Sequence, residues 1–194
     1  MAIDRRVQRT RTALYDGLVQ LIRVKPYGAI SVDDILRQAD VGRSTFYAHF
    51  RSKDELLERS LDRLKHLLLT TIAERTGGQE PSFWLCSDVL FAHLAEYRDI
   101  HNALVEGAGG EVLHAALSRV VSEVLGATLP PATGGVPRDL VLAFVTASFT
   151  AVLAWWLQRH PERSAEEAEA LFRSLVGNGS GVEIGDEPNA FDRG

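Results

Sequence analysis

Ser31-Val32-Asp33-Asp34-Ile35-Leu36-Arg37-Gln38-Ala39-Asp40-Val41-Gly42-Arg43-Ser44-Thr45-Phe46-Tyr47-Ala48-His49-Phe50 reads as two short helices around a tight turn. The Ser31 hydroxyl can accept from an orphan N–H, and Asp34 suits the positive end of a helix. That helix runs Val32 to Ala39, with Ile35, Leu36 and Ala39 inward. Asp40-Val41-Gly42 is the turn, and Arg43 to His49 the second helix. Phe46 and Phe50 are spaced i, i+4 as core anchors, so Arg43, Ser44, Thr45, Tyr47 and His49 face outward. Those are side chains suited to base edges and phosphates. Ser52-Lys53-Asp54-Glu55 then reads as a capping box opening another helix. Lys53 puts a cation at the positive end of that helix, a conflict that a bound phosphate would remove. The alternative is a solvated basic turn.

On the N-terminal side, Leu14, Leu18, Leu21 and Ile22 mark one buried helical stripe that ends before Pro26. Gly17 within it costs about 1 kcal/mol relative to Ala, which points to close approach of a neighbour. On the C-terminal side, Leu56 to Ile72 continue the capping-box helix to about Arg75. Its 23 residues span about 34 Å, enough to join a head to a body. After Pro81 the expected helices are 82–97, 99–106, 110–129, 138–160 and 164–176, separated by glycine- and proline-bearing turns. No strand-period alternation is present. The expected fold class is all-α: a three-helix head at 1–57, a connecting helix to about 75, and a helical body at 76–177. Residues 178–194, glycine-rich and then acidic, read as a disordered tail.

Composition agrees with a globular chain: 194 residues, 45% apolar and 24% charged. The single Cys86 excludes an intrachain disulfide. The arginines of residues 1–11 and the interrupted apolar run that follows do not read as a signal peptide, so the cytoplasm is the expected compartment. The net charge of −5 hides a split. Residues 1–66 carry +4 and residues 67–194 carry −9, which suggests that only the head meets a polyanion.

The run from Ile30 to Leu57 resembles the DNA-binding head of the TetR family of bacterial transcription regulators. The resemblance covers Thr10 to Leu57 and rests on Phe46, Tyr47, Phe50, Lys53 and Leu56. It departs at the turn, where many members have Gly-Val-Ser and this chain has Asp40-Val41-Gly42. The resemblance implies that Arg43, Ser44 and Thr45 enter the major groove, with Arg43 on guanine O6 and N7. Tyr47, His49 and Lys53 would hold phosphates, and Ser31 and Val32 would touch backbone.

The body matches the family only in size and helical layout. Leu140 to Leu157 is 18 residues without a charge, about 27 Å of helix and long enough to span a membrane. Thr146, Ser148 and Thr150 interrupt it, and Arg138 and Arg159 flank both ends equally, which favours burial in a soluble protein. Ala143, Ala147, Ala151 and Ala154 form a small-residue stripe, and Leu171 and Leu175 lie on the next helix. Two such helices per subunit would make a four-helix homodimer bundle. Trp84, Phe91, Tyr97, Phe144 and Trp155 are the candidate walls of a small-molecule pocket, with ordinary core as the competing reading. The spacing of His93, Glu96 and His101 does not match a metal site. No nucleophile–base pair or phosphate loop stands out, so no enzyme, metal or cofactor is expected. The reading is a dimeric repressor of palindromic double-stranded DNA, released by a small apolar or aromatic ligand. Its competitor is a helix-turn-helix protein whose body binds a protein or membrane partner.

Overall fold

The computed structural model describes residues 2–105, 107, 109–130 and 135–179. The described residues form an all-α chain: α1 (Ala2–Ile22), α2 (Val32–Ala39), α3 (Arg43–Tyr47), α4 (Lys53–Thr76), α5 (Phe83–Glu96), α6 (Arg98–Val105), α7 (Gly110–Thr128), α8 (Arg138–Arg159) and α9 (Ala165–Gly179). A 3-10 turn at Tyr27–Ala29 lies between α1 and α2. Most expected boundaries fall within a residue or two of these. Two ends differ. α1 starts well before the Leu14 stripe, because Arg and Gln are good helix formers even without a partner. α9 runs on through Gly177 to Gly179. Of the expected tail, residues 180–194 lie outside the described residues.

Two apolar cores organise the chain. The first joins Leu14, Leu18, Ile35, Phe46, Phe50 and Leu56 of the head to Ile100 and Leu104 of α6 and Leu113 of α7. α6 therefore closes the head's own core. α1 and α2 approach closely at Gly17, where a β-carbon would stand 3.3 Å from Ala39 Cβ. The second core holds α5, α7, α8 and α9 together. It is built from rings: Phe91 lies 4.6 Å from Phe149 and 5.8 Å from Phe172, and Trp84 lies 4.9 Å from Phe83, centroid to centroid. A buried polar contact joins α5 to α9 across it. The buried Ser87 hydroxyl donates to the buried Glu169 carboxylate at 2.7 Å. Arg173 pairs with Glu169 at 3.0 Å and lies over the Trp84 ring.

α8 is long and apolar enough to cross a membrane, with a mean hydropathy of 2.0. Its Val141, Val145, Phe149, Val152 and Trp156 are buried in the second core. α4 bridges the two cores: Leu56 and Leu57 sit in the first, Leu68 and Ile72 in the second.

Candidate nucleic-acid interface

α2 is placed by a capping box: the Ser31 hydroxyl accepts from Asp34 N, and the Asp34 carboxylate accepts from Ser31 N. Asp34 also accepts from Lys25 and Arg37, each at 2.5 Å. The Lys25 bond, followed by the Ser31 bonds, holds its carboxyl far below the usual carboxylate range. The turn is made by Asp40, not by the glycine. Asp40 takes φ 52° as the left-handed cap of α2, while Gly42 is extended at φ −71°. Aspartate is among the few L-residues that visit that region, which is how the chain turns without the family's usual glycine.

α3 is anchored by Phe46 and Phe50, both buried, with the Tyr15 ring edge-on to Phe50 at 5.8 Å. Five residues of helix have little stability alone, so this anchoring holds the orientation. Arg43, Ser44, Thr45 and Tyr47 are exposed on its outer side, and His49 is half-buried beside Phe50. Tyr47 is 51% exposed, so it is a surface group and not a core tyrosine. Arg43 pairs with Asp33 across the turn. Both partners are exposed, and exchanging Asp33 for a base or phosphate costs little. Ser31 is exposed and Val32 half-buried at the start of α2.

Lys53 does something the sequence does not announce. Its ammonium donates to Tyr27 O at 2.8 Å and Ile30 O at 2.9 Å, and lies over the Tyr27 ring at 4.5 Å. Two carbonyls and a π-face resolve the conflict with the helix dipole that a phosphate was expected to resolve. Lys53 thus ties α4 to the turn before α2, and one of its three N–H groups stays unused by these bonds. The buried Tyr27 hydroxyl donates to Asp54 at 2.5 Å. Burial, then this bond, drives its pKa strongly up, so Tyr27 stays protonated.

Arg5, Arg6 and Arg9 stand exposed on the first turns of α1. The sequence reading uses these arginines against a signal peptide and in the head's +4 charge, and assigns none of them to the DNA contact. The i, i+4 spacing of Arg5 and Arg9 is the signal that would have marked a basic helix face.

Residues 14–59 match the family model described as bacterial regulatory proteins, tetR family. The HTH-type transcriptional regulator TcmR of Streptomyces glaucescens is 29% identical over 123 residues, 63% of this chain and 52% of that protein. A TetR transcriptional regulator from Streptococcus agalactiae superposes with a TM-score of 0.63 at 26% identity, covering 91% of this chain and 98% of that one. Residues 14–59 therefore form a TetR-family head. Thermus thermophilus FadR, a TetR-family repressor solved with lauroyl-CoA, shares the fold at a TM-score of 0.60 and 17% identity, over 93% of this chain and 100% of that one. The matched segments span between 16% and 52% of the length of the curated relatives.

Behind this TetR-family head, the five aromatics expected to wall a pocket do not converge. Trp84 and Phe91 are buried in the ring core, because close-packed rings fill space rather than line it. Phe144 is 40% exposed on the outer face of α8. Trp155 is half-buried against His160 at 4.2 Å. Tyr97 alone lines a cleft, one that opens between α1, α4, α5, α6 and α7. Among the described residues no three His, Cys, Asp or Glu side chains come together as a metal site.

The residues expected at a dimer contact are mostly on the surface. Ala143, Ala147, Ala151, Leu171 and Leu175 are exposed and Ala154 is half-buried. Leu140 and Phe144 extend the exposed apolar surface along α8. On α9, Ala168 and Phe172 are buried, and Leu171 and Leu175 face out.

Proposed function

We propose that the chain is a dimeric transcription regulator whose two heads read a palindromic DNA and let go when a small molecule binds. One observation carries the DNA-binding part: a helix too short to stand alone is pinned by Phe46 and Phe50 so that Arg43, Ser44, Thr45 and Tyr47 project together. Arg43 reads a base, Tyr47 and His49 hold phosphates with the free N–H of Lys53, and Ser31 and Val32 rest on the backbone. The exposed apolar face of α8 and α9 supports a dimer, since contiguous apolar surface on a monomer marks an interaction site. The likeness to FadR solved with lauroyl-CoA supports a response to a small molecule. Such a regulator works in the cytoplasm and needs no catalytic group or cofactor.

Selection of bound DNA from a random pool tests this. The expected result is a palindrome with half-sites about 34–36 Å apart, or a multiple of one duplex turn. Arg43→Ala should then relax choice at one position and cost about 1–3 kcal/mol on the selected site. A sequence preference left intact would remove Arg43 from the bases. Ala147→Glu should give monomers by light scattering. The same apolar face favours a second reading, in which the body docks a protein or membrane partner. A wild-type chain that is monomeric yet selects DNA would support that one.

A further inference from the structure

The cleft between head and body holds about 260 Å³. Most of its wall is aliphatic, with Leu18 and Ile22 from α1, Leu61 and Leu64 from α4, Leu104 from α6 and Leu117 from α7, and Tyr15, Ser60, His93 and Tyr97 add polar atoms. One polar group in it is anomalous. His101 is only 8% exposed, lines the cleft, and its Nδ1 has no hydrogen-bond partner. A buried polar atom left unpaired is costly, and native structures keep few of them. Water wants two to four polar partners, which the mostly hydrocarbon wall of this cleft does not offer, whereas the adjoining hollow that His101 also lines carries Glu111, His114, Thr150 and Gln158. Burial lowers the His101 pKa, so the imidazole is neutral near pH 7 and offers a hydrogen bond but no charge. The charged residues at the cleft, Asp16 and Arg63, face each other at 3.9 Å and offset one another.

We propose that this joint between head and body, and not the ring core of the body, binds an uncharged aliphatic molecule whose single hydroxyl pairs with His101 Nδ1. A hydroxyl can donate or accept, so it suits either tautomer. The proposal rests on the DNA-binding reading for its consequence. Leu18 and Ile22 line the cleft and also belong to the head's core, so an occupant touches the head directly. Leu104 passes the contact on. Gly109 lies between Leu104 and the Tyr27 ring, where a β-carbon would stand 2.8 Å from the one and 3.0 Å from the other, so it links α6 to Tyr27 with no room to spare. Tyr27 in turn holds Asp54 and Lys53 at the start of α4. A molecule that displaces Leu104 therefore shifts the support of α2 and α3.

The test is calorimetric titration of the full chain with 1-octanol, octanoate and octylammonium. The expected result is one saturable octanol site per chain, with both charged analogues at least tenfold weaker. His101→Phe should weaken octanol by about two- to tenfold, the range for one hydrogen bond. Leu61→Trp, or Val19→Phe if that variant does not fold, should abolish octanol binding by filling the cleft. Trp155→Phe should leave it unchanged. Absence of a saturable site overturns the proposal, as does octanol binding that survives both filling variants or weakens in Trp155→Phe. On the selected DNA, octanol should lower affinity by the factor by which DNA lowers octanol affinity. Unchanged DNA affinity would overturn the coupling. Failure to select any DNA would remove the regulator reading and leave the site to be decided by the titration.

Discussion

The head and the body are held together by different chemistry. The head adds directional polar contacts to its apolar core: Ser31 with Asp34, Lys25 with Asp34, Lys53 with the carbonyls of Tyr27 and Ile30. The body relies on rings from distant helices, with Phe91 against Phe149, Phe172 and Trp156, and Phe149 against Phe172. A small domain has little interior to bury and gains most from fixing geometry. A larger one gains from filling volume. The difference teaches that the head is built to hold an orientation and the body to hold a mass.

The largest expected effect attacks the body. Phe91→Ala should cost about 3–5 kcal/mol in chemical denaturation, for the lost transfer energy and the cavity left behind. If it cost no more than the head variant that follows, the contrast would collapse. Lys53→Met keeps the stem and removes the donors, leaving two carbonyls short of a partner. It should cost about 1–3 kcal/mol, with little dependence on salt, since these bonds are internal.

Acid separates the regions further. The carboxyl of Asp34 titrates well below its unfolded value, so the stability it adds is complete above about pH 4 and is lost as pH falls below that. His93 and His101 act in a higher window. Burial lowers both, so the unfolded chain takes protons first and stability drops as pH falls from about 6.5. All three tryptophans lie in the body, at 84, 155 and 156. Below pH 4 helical circular dichroism should therefore fall before tryptophan emission shifts. Asp34→Asn should remove that lag, and a lag that persisted would place the acid-sensitive group elsewhere. The smallest effect is a gain. Asp40→Gly relieves a left-handed backbone and removes an acid from the negative end of α2, and should stabilise the head by about 0.5–1 kcal/mol. A loss would mean that the Asp40 side chain has a role of its own.

The same contrast explains what could be read in the sequence. Helix bounds follow from spacing, caps and glycines, all local, so α2, α4 and α8 are legible almost to the residue. The outward set of α3 follows once Phe46 and Phe50 are taken as anchors. The turn was harder: nothing local says that Asp40 rather than Gly42 takes the left-handed conformation. Lys53 was readable as a conflict but not in its resolution, because Tyr27 and Ile30 reach it only through the fold. The pocket was least legible. Aromatic content tells where volume is, and a cleft forms where volume is missing, at a meeting of five helices that no single stretch encodes.

The buried Ser87–Glu169 bond has a consequence for assembly. A helix seated on apolar contacts alone can roll about its axis, since one greasy face substitutes for another. Rolling α9 by a single residue, about 100°, would withdraw Glu169, with its Arg173 partner on the same helix, from Ser87 and give up a buried charge-assisted hydrogen bond. The bond therefore fixes the azimuth of α9, and with it the direction in which Leu171 and Leu175 point. One hydrogen bond inside a single protomer thus sets which surface a second copy would meet.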